Sequence, residues 1–368
     1  MRFWPGKIEN YVLARTGAGV GGALALLSSV ALLIDFVDNS RNVGTRAEVS
    51  FAELLGLTLL KTPQTVLVLL PFVFLFGTLA AFVSLNRRSE LVAMRAAGVS
   101  AWRFIFPAAS VAFVVGLLTV TAFSPLAAML NARFEQARAG LLEGYTAGAP
   151  KQVWLRQGDA RNEMIIRAKA YDQANGMVRL EGVSLFIYAR DDHGALQFSR
   201  RVEADEARLN AGFWRLKGVR EATPGAGSIR SESLSIPSTL DSQAALERFT
   251  TPEAIAFWRL PQAIAQTEAA GFLATPYRIR LWQLLATPLM FAAMSVLAAA
   301  FSLRLMRLGG LAGLAISGVA LGFAFFFFNQ LCGALGKAGT LPPPLAAAAP
   351  PLLALLAGLT LLCYTEDG

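Results

Sequence analysis

Residues 62–85, TPQTVLVLLPFVFLFGTLAAFVSL, contain no charged side chain. Crossing the hydrocarbon core of a bilayer takes about 20 largely apolar residues of helix, and this stretch meets that length without interruption. It predicts a spanning helix, and five more stretches meet the same condition: 17–38, 103–126, 280–303, 309–331 and 342–363. The pattern is three spans, a long polar insert, then three spans, so the domains are residues 1–126, 127–277 and 278–368.

Composition agrees. Of 368 residues, 55% are hydrophobic and 16% charged, where a soluble domain carries about 25% charged residues. The formal net charge of +8 raises nucleic acid as a partner. The insert, however, holds 18 basic and 17 acidic residues and the remainder 15 and 8, so nearly all the excess lies beside apolar runs. That is the arrangement the positive-inside rule produces, and nucleic-acid binding loses its support. Arg2, Lys7, Arg15, Arg87, Arg88, Arg95, Arg103, Arg304 and Arg307 mark one face, while the opposite short loops carry Arg41, Arg46, Lys61 and Lys337. Both termini are expected in the cytoplasm and the insert outside, which in a bacterium is the periplasm. The first apolar run is too long for the hydrophobic part of a signal peptide and is expected to be a retained helix.

The insert changes period. Short β-rich runs at 152–156, 163–168, 177–180, 183–189, 196–203, 206–210, 213–220 and 229–236 are separated by turn residues such as Asn175-Gly176, Asp191-Asp192-His193-Gly194 and Pro224-Gly225. This predicts an antiparallel sandwich or jelly roll over about 150–240. Thr251-Pro252 then predicts the start of a helix of about 18 residues over 252–270. The fold class is membrane α+β.

Catalytic constellations are scarce, and no catalytic or metal-binding residue is assigned. His193 is the only histidine, Cys332 and Cys363 have no metal-ligand spacing, and no phosphate-binding G-x-x-x-x-G-K-[ST] loop occurs. Any ATP is hydrolysed by another subunit. Gly17-x-x-x-Gly21 and Gly318-x-x-x-Gly322 mark faces where helices approach closely, either within the chain or against another subunit. The most specific feature is the loop Asn86-Arg-Arg-Ser-Glu-Leu-Val-Ala-Met-Arg-Ala-Ala-Gly-Val-Ser100. Over 89–98 it reads as a short helix capped by Ser89, complemented at its start by Glu90 and ended by Gly98. Leu91, Met94, Arg95 and Gly98 share a face, giving an apolar knob that fits a groove on a soluble partner, unless the loop is only a solvated elbow.

This segment resembles the coupling helix of the lipopolysaccharide-transport permeases LptF and LptG, closer to the LptG form, and the order of three spans, β domain and three spans resembles that family along essentially the whole chain. Leu33-Ile-Asp-Phe-Val-Asp38 and Leu341-Pro-Pro-Pro344 are further points of likeness. The resemblance implies a permease of an ATP-binding-cassette lipopolysaccharide exporter in the bacterial inner membrane. Its partners would be an LptF-like sister permease, an LptB-like cytosolic ATPase dimer that holds ATP and magnesium, and an LptC-like single-span periplasmic bridge protein; this chain would hold no cofactor. Glu90 and its neighbours would transmit ATPase closure, and the first and fifth spans would line gates. Headgroup phosphates need a basic outer rim and acyl chains an apolar wall. Arg41, Lys61, Arg133, Arg138, Arg278 and Arg280 would form the rim, or else anchor the helices at the interface, with Asp38 a further candidate contact; Phe325 and Phe328 would belong to the wall unless they only pack against neighbouring helices. Asp35 departs from the pattern, which has lysine there. The reading from another class is a membrane-anchored periplasmic assembly or sensor protein that moves no lipid, for which a docking segment between spans has no use.

Overall fold

The computed structural model describes residues 6–44, 49–146, 153–158, 162–174, 177–190, 196–210, 212–225, 227–238, 252–269, 274–305 and 311–366. Arg2, Arg46, Thr251, Arg307 and the predicted turns at Asn175-Gly176 and Asp191–Gly194, with His193, lie outside them. The chain divides into two compact units. One comprises Met1–Arg138, Ala256–Trp258 and Arg278–Gly368, the other Ala139–Ile255 and Arg259–Tyr277.

In the first unit, α1 (Lys7–Asn39) continues into a π-helical turn at Ser40–Gly44. α2 (Phe51–Arg87) starts in a capping box: the Glu53 amide donates to the Ser50 hydroxyl at 3.3 Å, and the Ser50 amide donates to the Glu53 carboxylate at 2.8 Å. A short α3 (Glu90–Ala96) leads to α4 (Ala101–Leu118), which passes through a π-helical turn at Thr119–Phe123 into α5 (Ser124–Thr146). After the β unit come α7 (Thr275–Leu305), α8 (Leu311–Lys337) and α9 (Pro343–Glu366). Among the described residues, six helical spans are long and apolar enough to cross a membrane: Lys7–Val43, Phe51–Arg87, Ala101–Arg138, Thr275–Leu303, Ile316–Lys337 and Pro343–Thr365.

Lipid chains are as apolar as leucine, so helices in a bilayer associate through close packing rather than through exclusion of water. Small residues supply it here. A Cβ on Gly19 of α1 would lie 2.4 Å from the Gly77 carbonyl oxygen of α2, and one on Gly116 of α4 would lie 2.4 Å from the Pro288 Cα of α7. Around these contacts Leu70, Phe74, Leu79, Phe291, Met294 and Phe325 form the central core, with the Phe74 and Phe291 rings stacked 4.7 Å apart.

The second unit contains one antiparallel seven-stranded sheet: β1 (Val153–Gly158), β2 (Asn162–Ala168), β3 (Ala170–Ala174), β4 (Met177–Arg190), β5 (Leu196–Asn210), β6 (Phe213–Ala222) and β7 (Ile229–Pro237). The order is β1-β2-β4-β5-β6-β7, with β3 also paired to β4. Among the described residues the strands thus form a meander without Greek-key crossover. The two splits predicted near 181–182 and 204–205 are not turns, because β4 and β5 run straight through them. They are interruptions inside continuous strands. Lys169, Gly182, Asp205 and Gly218 line up across the sheet where strand pairing skips, with Gly182 at φ 59 and Gly218 at φ 64. Buried positions change parity at this row, from Leu180 to Val183, Ala204 to Ala207 and Leu216 to Val219. Because neighbouring strands are interrupted at the same row, the register is kept and the apolar side chains stay on the inner face, so one core containing Ile166, Leu185, Val202 and Trp214 spans both sides of the row.

The predicted 18-residue helix is shorter than expected. Pro252–Ala254 and Phe257–Arg259 are 3-10 turns, and the α-helix, α6, is confined to Leu260–Ala269. Pro261 explains the late start, since its ring would clash with the carbonyl of residue 257 if the helix extended backwards.

Candidate functional site

The loop between the second and third spans folds as the expected short helix, with two local differences. Its end is a Schellman motif: Gly98 has φ 80, the Gly98 amide donates to the Arg95 carbonyl at 2.9 Å and the Val99 amide to the Met94 carbonyl at 3.1 Å. Its start differs, because Ser89 adopts φ 59 and its side chain caps nothing. The Ser89 amide instead donates to the Asn86 carbonyl at 2.8 Å, closing the turn that follows α2.

The face of α3 is also reversed from the predicted knob. Leu91 is 1% exposed, buried with Val12, Phe82, Leu85, Phe104 and Leu362 from α1, α2, α4 and α9, and Met94 packs at the edge of that cluster. Four polar contacts anchor the same corner. The Tyr11 hydroxyl donates to Glu90 Oε2 at 2.8 Å and accepts from Arg15 Nε at 3.1 Å; Arg103 pairs with Glu9 at 2.8 Å; and Arg95 Nη2 donates to the Thr365 carbonyl at 3.2 Å, satisfying the C-terminal end of α9. Arg88, Ser89, Val92, Ala93 and Ala96 remain exposed, and these present the outward surface of α3.

At the other ends of α1 and α2 lies a charged cluster. Lys61 Nζ is 2.7 Å from Asp35 Oδ1 and 3.7 Å from Asp38 Oδ2. The Thr65 hydroxyl donates to Asp35 Oδ2 at 2.6 Å, and Asn42 donates to Asp38 Oδ1 at 3.1 Å. Asp35 is only 6% exposed, and a buried carboxylate requires such partners. Lys61, read in the sequence as a rim cation, therefore spends charge inside the chain. Arg41, Arg133 and Arg278 are exposed, whereas Arg138 and Arg280 are half-buried, and the Arg138 guanidinium lies 6.0 Å from the centroid of the Phe134 ring. Phe325 is not part of an open wall: it is buried in the central core, with its ring centroid 6.4 Å from that of Phe72. Phe328 is half-buried, and the exposed rings of α8 are Phe323, Phe326 and Phe327.

The two glycine pairs separate. A Cβ on Gly318 would lie 2.6 Å from Leu79 Cδ2 and one on Gly322 2.8 Å from Phe76 Cζ, so both pack against α2 within the chain. Around Gly17, Gly21 and Gly22 nothing approaches within 4 Å. Only 11% of the most apolar stretch of the first span is buried within the chain, against 67% for the fourth. α1 thus shows its small-residue face outward.

The sequence profile described as lipopolysaccharide export system permease LptF/LptG matches residues 10–364. The chain belongs to the LptF/LptG permease family. The lipopolysaccharide export system permease proteins LptG of Escherichia coli strain K12 and of strain O6:H1 (CFT073) are each 24% identical to it over 363 residues, 97% of this chain and 98% of theirs.

As an LptF/LptG permease the chain is a transport subunit, not a catalyst. In these two clusters, sequence reading did not single out Tyr11 and Thr65, and it took Arg15 only as a basic residue of one face. Tyr11 and Arg15 sit four apart on one helix face, a spacing visible in the sequence. Nothing local signals that Asp35, Lys61 and Thr65 converge, because they come from two helices.

Proposed function

We propose that this LptF/LptG permease is one of two permeases in an ATP-binding-cassette exporter that extracts lipopolysaccharide from the outer leaflet of the bacterial inner membrane. A cytosolic ATPase dimer holds ATP and magnesium, and this chain holds no cofactor. The termini and α3 lie in the cytoplasm and the β unit in the periplasm, a reading supported by the basic residues concentrated beside α3. The observation that carries the proposal is α3 itself, exposed along Arg88, Val92, Ala93 and Ala96 yet rooted through Leu91 beneath α1, α2, α4 and α9.

That geometry converts docking into motion. A partner pressing on the outer face of α3 moves a side chain buried in a cluster shared with α1, α2, α4, α7 and α9, and a close-packed core transmits displacement rather than absorbing it. Closure of the ATPase would shift the spans and open a lateral gate beside α1, whose small-residue face receives the sister permease. Headgroup phosphates are held by charge-assisted hydrogen bonds from Arg41, Arg133, Arg138, Arg278 and Arg280, while acyl chains lie against Phe323 and Phe327 of α8. The β unit then passes the lipid to a single-span periplasmic bridge protein.

The test is purification from the native membrane in mild detergent, followed by mass spectrometry of the proteins and lipids recovered. Recovery of an ATPase, a second permease and lipopolysaccharide is expected. A β-unit partner recovered with neither ATPase nor glycolipid would contradict the proposal.

A further inference from the structure

The first span is the one least covered by its own chain, and its lower end is fastened directly to the docking helix. Tyr11 lies between two charges. Its hydroxyl donates to Glu90 Oε2 at 2.8 Å and accepts from Arg15 Nε at 3.1 Å, and the Arg15 guanidinium also lies 5.3 Å from the centroid of the Tyr11 ring. One turn of helix spans Tyr11 and Arg15, so the guanidinium, phenol and carboxylate form a continuous chain from α1 to α3, and hydrogen bonds in series polarise one another. The neighbouring Val12 is fully buried in the cluster that holds Leu91, so the polar and apolar contacts join the same two helices. Glu90 is consequently held from inside the chain, on the side of α3 away from Val92.

We propose that Tyr11 is a positioning residue that fixes Glu90 and passes displacement of α3 to the first span. The inference rests on α3 being the ATPase docking element. It assigns Tyr11 a role in coupling hydrolysis to transport, with none in binding either ATPase or lipid.

The experiment compares Tyr11→Phe, Glu90→Gln and the double variant in the complete exporter reconstituted in proteoliposomes. ATPase recovery, hydrolysis rate and lipopolysaccharide released per ATP are measured. Tyr11→Phe keeps the ring and removes only the hydroxyl. It should retain the ATPase and change hydrolysis less than about twofold, while release per ATP falls about tenfold, a loss close to the lower bound for a hydrogen bond to a charged group. The double variant should lose no more release per ATP than Glu90→Gln alone, since both changes break one link. Unchanged release per ATP in Tyr11→Phe beside an impaired Glu90→Gln would overturn the role of Tyr11 alone, as would losses that multiply in the double variant. Unimpaired docking, hydrolysis and release in Glu90→Gln would overturn the coupling role of α3 and this inference with it.

Discussion

Lys61 and Asp35 form an ion pair 2.7 Å long between α2 and α1, and the carboxylate is the more buried partner, with its side chain 8% exposed against 28% for the lysine. The pair joins helices whose tightest approach, at Gly19 and Gly77, lies farther along both.

Removing the cation strands the carboxylate. Lys61→Met should destabilise the helical unit by up to ~3 kcal/mol, the lower part of the range for a broken buried pair because the lysine is partly exposed. Asp35→Asn with Lys61→Met should recover most of that loss. Thermal unfolding of the full chain in detergent checks both, and equal melting of wild type and Lys61→Met would show that the pair contributes nothing.

The glycine faces predict opposite outcomes on one helix. Gly19→Ala places a Cβ 2.4 Å from a backbone oxygen, so α1 and α2 must separate and melting temperature should fall. A Cβ at Gly17 or Gly21 meets nothing within 4 Å, so Gly17→Leu or Gly21→Leu should leave melting unchanged while recovery of the sister permease drops. Cross-linking from α1 to the second permease reads the latter.

On α3, Leu91→Ala empties a fully packed site and should cost ~2–4 kcal/mol. Val92, 60% exposed, is expected to tolerate Glu without loss of stability, yet the charge should prevent ATPase recovery. If Val92→Glu co-purifies with full ATPase, the outward face of α3 is not the docking surface.

In the β unit, Glu206 accepts from Arg208 and lies 2.9 Å from Arg179. The Arg208 hydrogen bond, followed by the charges of Arg179, Arg208 and Lys217, holds its carboxyl below the usual range against the opposing effect of burial. A lowered folded pKa means stabilisation that is full above the unfolded value of about 4.3 and disappears as pH falls through the folded one. Amide exchange in β5 should therefore accelerate as pH drops below about 4.3, after correction for intrinsic rates, and Glu206→Gln should flatten that dependence. Gly218→Ala should loosen the same strands at all pH values, because alanine is strained at φ 64 and its Cβ would lie 2.1 Å from Asp205 Oδ2.

The spans, the β character of the insert and the short helix between spans were legible because each rests on local pattern: charge-free length, period-two runs, and a glycine at the helix end. Orientation within the fold was not. Leu91 and Val92 are adjacent apolar residues on a short helix, and only the cluster beneath α1 and α9 decides which points inward. Gly182 and Asp205 divide runs in one dimension, since an interruption inside a strand and a turn both favour glycine and polar residues. Pro261 was a local signal that bounds α6. Asp35 and Lys61 are ordinary in isolation, and their meaning arises from pairing across two helices.

The central claim is that an ATPase acting on α3 drives lipid through this permease. The most direct measurement is ATP-dependent release of lipopolysaccharide from proteoliposomes containing the purified complex, with wild-type chain and with Val92→Glu. Release requiring ATP in the wild type, and abolished in the variant while the permease remains folded and membrane-inserted, is the predicted result. Equal release from both, or release independent of ATP, would contradict the account.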